Sequence, residues 1–145
     1  MKNFMFLSIF FSLLLGCSDN NPVSSLYHEY DYSIEQTRSC YCPNSGEIVK
    51  IFVRADTIAK VTLLSDNSDL PYNKWGRFRT IKGLSDEVAR LDTSTHSISV
   101  SYDPVFHYPS MINVSLKPII VSDSIVAIYM DAWYQLETRN FTPYP

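Results

Sequence analysis

Thr80-Ile81-Lys82-Gly83-Leu84-Ser85-Asp86-Glu87-Val88-Ala89-Arg90-Leu91 is the stretch that sorts the rest of the chain. Ile81, Leu84, Val88 and Leu91 follow one another at intervals of 3, 4 and 3 residues. That spacing puts all four on one stripe of an α-helix and turns Asp86, Glu87 and Arg90 outward. Thr80 offers an N-cap hydroxyl, while Gly83 near the start costs up to about 1 kcal/mol relative to alanine. On both sides of this helix the apolar period falls to two, so the helix stands alone between groups of strands.

Upstream, Tyr30, Tyr32 and Ile34 alternate with Asp31, Ser33 and Glu35, a first strand that ends at Cys40-Tyr41-Cys42-Pro43. Asn44-Ser45-Gly46 supplies turn chemistry. Glu47 to Arg54 sets Val49, Ile51 and Val53 on one face; Thr57 to Leu64 sets Ala59, Val61 and Leu63 on one face. The short Ala55-Asp56-Thr57 link makes the pair a hairpin. Ser65 to Asn73, rich in Ser, Asp, Asn and Pro, reads as a loop.

Downstream, Ser97 to Tyr102 alternates around Ile98 and Val100, and Met111 to Lys117 around Ile112, Val114 and Leu116. Asp103-Pro104 and Tyr108-Pro109 bracket the loop between them. Ser124 to Leu136 reads as a last, long strand. The order is βββαβββ, which predicts an α+β fold: an antiparallel sheet of about six strands with one helix packed on its apolar face.

Cys40-Tyr41-Cys42-Pro43 at the end of the first strand, Thr80-Ile81 at the helix start, and Tyr102-Asp103-Pro104 followed by Tyr108-Pro109 occur in an order that resembles an uncharacterised bacterial family, domain of unknown function 6174. Its members show Cys-aromatic-Cys-Pro early and Tyr-Asp-Pro-x-x-Gly-Tyr-Pro late, and the likeness spans about Tyr27 to Leu136. His107 stands where the family has glycine. The resemblance implies an exported α+β domain with paired cysteines at a strand end, and it implies no activity.

The N-terminus carries an address. Lys2 precedes an apolar run from Phe4 to Leu15, too short to span a bilayer, and then comes Leu14-Leu15-Gly16-Cys17. This resembles the bacterial lipobox, which implies a removed signal peptide over residues 1–16 and a lipid on Cys17. Acyl chains at about 0.8 kcal/mol per buried methylene then give stable anchoring. Residues 17–25, polar and interrupted by Pro22, form a tether, and residues 26–140 form one domain. Ser18 after the lipidated cysteine resembles outer-membrane sorting signals, so the expected location is the cell envelope, at the outer membrane.

With Cys17 assigned to lipid, Cys40 and Cys42 remain as each other's only intramolecular partner in an oxidising compartment. They serve as a structural bridge, a redox couple or half of a soft-metal site. In an extended strand residues two apart sit about 6.6 to 6.8 Å apart at Cα, so a bridge has to bend the chain at Tyr41. A zinc site needs two more ligands from His28, His96 and His107, none of which lies at ligand spacing from another, so no metal is expected. Lys74-Trp75-Gly76-Arg77-Phe78-Arg79 mixes cations with aromatics. Lys74, Trp75, Arg77 and Arg79, joined by Tyr108, are the candidate interaction surface; equally, Trp75 and Phe78 cap the core while the cations face solvent.

The formal net charge of −3 gives no electrostatic reason to expect nucleic acid. The few glycines form neither a phosphate loop nor a dinucleotide fingerprint, and no His-Glu-x-x-His, Gly-x-Ser-x-Gly or Ser-x-x-Lys pattern occurs. The expectation is therefore a binding or structural domain without catalytic residues, nucleotide or cofactor, tethered to a membrane and meeting an envelope protein or component. The alternative is a thiol-redox or metal-binding protein that uses Cys40 and Cys42.

Overall fold

The computed structural model describes residues 30–43, 45–117, 119–122, 125–127 and 133–144. The expected signal peptide, Cys17 and the tether lie outside the described residues. The strands are β1 (Asp31–Cys40), β2 (Ile48–Arg54), β3 (Thr57–Leu63), β4 (His96–Tyr102), β5 (Pro109–Leu116), β6 (Ile119–Ser122), β7 (Ile125–Ala127) and β8 (Tyr134–Tyr144). Between β3 and β4 come a 3-10 helix (Tyr72–Arg77) and the α-helix α1 (Ile81–Arg90). Six strands form one antiparallel sheet in the order β3-β2-β1-β8-β5-β4, and β6 and β7 form a separate two-stranded ribbon. Among the described residues no helix is long and apolar enough to cross a membrane.

The expected stripe of α1 faces the sheet: Ile81 and Leu84 are buried, and Val88 and Leu91 are partly buried against Ile112, Val114 and Leu136. Thr80 caps the helix, its hydroxyl accepting from the Gly83 amide at 3.0 Å. The buried Tyr32 hydroxyl accepts from the Ile81 amide at 3.0 Å, so a second orphan donor of the first turn is satisfied from β1. Glu87, expected to point outward, instead leans over the sheet and is only 15% exposed. Tyr134 and Arg79 hold it there, since the Tyr134 hydroxyl donates to Glu87 at 2.6 Å and Arg79 Nε donates to it at 2.7 Å.

Two irregularities change which side chains face inward. In the β2–β3 hairpin the register shifts so that Phe52 opposes Lys60 and Val53 opposes Ile58. The extra residue, Ala59, is left exposed, and Ile58 joins Val61 against the core. Between β1 and β8, Ser33 opposes Thr142 and Glu35 opposes Arg139, with Asn140 at a φ of 55°. This bulge turns Phe141 onto the core face, where its ring lies 5.3 Å from that of Tyr32.

The single last strand expected over Ser124 to Leu136 is replaced by β7 and β8. The long strand begins at Tyr134, runs to Tyr144 and inserts between β1 and β5. Leu136 and Thr138 are its buried residues; from Tyr134 to Glu137 the strand is paired with both β1 and β5, and beyond that with β1 alone.

Candidate functional site

Followed along the side that faces the helix, β1 changes chemistry: Tyr32, Ile34 and Gln36 are buried, and then come Arg38 and Cys40. Gln36 ties the strand to the segment before α1 with two bonds to one residue. Its Nε2 donates to the Arg79 carbonyl at 2.8 Å, and its Oε1 accepts from the Arg79 amide at 3.0 Å. Beyond this clip the sheet and the 3-10 helix part, leaving a cleft of about 850 Å³. Its floor is Leu91, Val114 and Tyr134; the Cys40–Pro43 loop forms one wall and residues 73–77 the other.

The walls are basic. None of the described residues lining the cleft is acidic, whereas Arg38, Lys74, Arg77, Arg79 and His96 all contribute. The Arg38 guanidinium lies 4.4 Å from the centroid of the Tyr134 ring and donates to the Arg77 carbonyl at 3.2 Å. Arg77 donates to the Pro43 carbonyl at 3.1 Å, which joins the two walls. Arg79 is committed to structure: besides Glu87 it donates to the carbonyls of Gly76 and Phe78 at 2.6 and 2.9 Å. Lys74 is exposed on the 3-10 helix and makes no ion pair among the described residues. Burial, and then the hydrogen bond to Glu87, push the Tyr134 phenol well above its ordinary range, so it stays protonated as a donor.

Cys40 and Cys42 are joined in a disulfide with their Cα atoms 5.2 Å apart, and the chain bends at Tyr41 as such a bridge requires. The loop is braced by the Cys40 amide, which donates to Ser45 Oγ at 2.9 Å, and by the Gly46 amide, which donates to the Arg38 carbonyl at 2.9 Å. Gly46 takes a φ of 82°, a conformation that costs glycine nothing. At the apex of the loop the exposed Tyr41 ring meets Trp133 edge-on at 6.3 Å. Among the described residues no group of three or more His, Cys, Asp or Glu side chains comes together as a metal site.

The sequence-predicted surface is thus divided. Lys74, Arg77 and Arg79 reach the cleft. Trp75 turns the other way, its indole N–H donating to the Leu70 carbonyl at 2.7 Å and its ring packing on the core beside Tyr72. Tyr108 is no surface residue: it is 2% exposed, at the other end of the sheet, with its ring 6.1 Å from that of Phe141. The loop before it accounts for this. Asp103 Oδ1 accepts from the amides of Val105 and Phe106 at 2.9 and 2.7 Å, and the Asp103 carbonyl and amide bond to His107 and Tyr108. The tight turn this makes throws Tyr108 inward. Trp133 and Tyr134, aromatic residues of the kind a recognition surface uses, line the cleft as well; Arg38, and Glu87 that braces Tyr134 and Arg79 from outside the lining, escape a reading by local pattern. The one available signal is Arg38, a cation at an inward position of an alternating strand.

The turn also explains the sequence motif. Asp103 caps it, Pro104 fixes φ after it, and the sixth motif residue lies in the left-handed region, where His107 has a φ of 57°. Among curated proteins and among solved structures, none matches the chain. The model of one family matches residues 25–132, from ahead of β1 to just short of β8. The chain therefore belongs to the family of unknown function DUF6174.

Proposed function

We propose that this chain is a lipoprotein of the bacterial cell envelope, anchored to the outer membrane through Cys17, whose α+β domain is a non-catalytic binding module. The observation that carries the binding role is the cleft: about 850 Å³, basic on both walls, with no acidic side chain among the described residues that line it. Sites for small ligands are commonly of about 300 to 1,000 Å³. The support for anchoring is the N-terminal pattern of Lys2, an apolar run and Leu14-Leu15-Gly16-Cys17. In this reading the Cys40–Cys42 bridge is structural. It holds the loop that forms one wall, and while the bridge is closed neither sulfur is a thiolate available to a metal.

Palmitate labelling in cells tests the anchor. The wild-type chain is expected to carry label and sediment with outer membranes, and Cys17→Ala is expected to be unlabelled and released. Label surviving the substitution refutes the anchor.

A further inference from the structure

We propose that the cleft takes a sugar unit bearing one anionic group, phosphoryl or carboxyl, with the anion between Arg38 and Lys74 and the ring against Tyr41 and Trp133. The inference deepens the binding role proposed above and rests on it. Arg38 is preorganised for an oxyanion. Its guanidinium lies over the Tyr134 ring, 4.4 Å from the centroid, and one bond, to the Arg77 carbonyl, leaves most of its five N–H donors available. Lys74 approaches from the opposite wall as a mobile point charge. A planar fork and an ammonium lining the same cleft suit a single phosphoryl or carboxyl group.

The rest of the ligand is set by the rim. Tyr41 is 67% exposed and Trp133 half-buried, their rings edge-on to one another, which gives an angled aromatic rim with polar edges beside the cations. A ring with one apolar face and hydroxyls around it fits that surface.

Position argues against the head groups of the anchoring membrane. The chain enters the sheet at Asp31, whereas the cleft opens at Cys40, the other end of a ten-residue strand. At about 3.4 Å per residue the two ends lie roughly 30 Å apart. The cleft thus lies at the end of the sheet remote from the point where the tether enters it.

Isothermal titration of the full lipidated chain in a neutral detergent at low salt tests this with three probes: glucose 6-phosphate, glucuronate and glucose. At least one of the two anions is expected to bind, and tenfold or more tightly than glucose. Binding of the phosphate ester alone assigns a phosphoryl group, binding of glucuronate alone a carboxyl group, and binding of both the shared chemistry. Lys74→Glu, on an exposed side chain, is expected to weaken the anion at least tenfold with an unchanged circular dichroism spectrum, and Ser99→Asp on the opposite face to leave it alone. No binding of either anion, glucose binding equally well, or Lys74→Glu binding like wild type overturns the proposal. Cys17→Ala protein is expected to bind the same probe, so a failed anchor and a failed ligand are read separately.

Discussion

At the scale of single residues, the structure locates strain where the family motif has glycine. His107 sits at a φ of 57° in the turn that Asp103 caps, and a side chain in that region costs about 1 to 2 kcal/mol. His107→Gly removes the strain but enlarges the freedom of the unfolded chain, so a net gain of about 0.5 to 1 kcal/mol is expected. Thermal unfolding should register this as a rise of about 2 to 4 °C. His107→Val, β-branched and so less tolerant of this region, should lower the midpoint. Gln36 shows the opposite economy: a polar side chain with no exposed surface whose two bonds to Arg79 give a partner to each end of its amide.

At the scale of elements, position within the sheet decides the cost of a substitution more than alternation does. Val100 and Val114 fall on the same face, on paired strands, and alternation ranks them as equals. Yet β4 is an edge strand and Val100 is only partly buried, whereas β5 is flanked by β4 and β8 and Val114 is 2% exposed. Val114→Asp is expected to abolish cooperative unfolding, because an unpaired buried carboxylate costs several kcal/mol against a total of about 5 to 15. Val100→Asp should leave a folded domain weakened by about 1 to 2 kcal/mol, its carboxylate reaching water at the edge. Ser99→Asp, whose side chain is exposed, should be silent in the same urea titration. Equal effects at Val100 and Val114 would refute this placement of β4.

At the scale of the whole molecule, one buried phenol, Tyr108, and one partly buried phenol, Tyr134, at opposite ends of the sheet couple stability to alkaline pH. Burial, and then the charge of Asp103, raise Tyr108 from 10.0 to about 12; burial and the bond to Glu87 raise Tyr134 as well. A raised folded pKa means that the native state keeps its proton after the unfolded chain has lost it. The stabilisation is therefore fully present below pH 10 and disappears as the pH rises from there to about 12. A difference of two units corresponds to roughly 2 to 3 kcal/mol for Tyr108. Denaturant midpoints should hold from neutrality to pH 9.5 and then fall. Tyr108→Phe, without the hydroxyl, should flatten part of that fall, and a wild-type midpoint independent of pH over this interval would contradict the burial.

What the amino-acid sequence determines by itself is whatever depends on near neighbours. The stripe of α1, its Thr80 cap, the β2–β3 hairpin and the alternation of β5 are all legible because their periods repeat within a few residues. Even the Asp103-Pro104 turn is readable, since its hydrogen bonds close within five positions. Tertiary structure alone decided three things: that β8 lies between β1 and β5, that Tyr108 and Glu87 turn inward, and that a basic cleft opens beyond Gln36. The two bulges erase the period that would have placed Ala59 and Phe141. The bonds that build the cleft join residues far apart in the chain, Gln36 to Arg79 and Tyr134 to Glu87. No local pattern encodes such a pair; it exists only once the sheet brings the strand ends and the helix together.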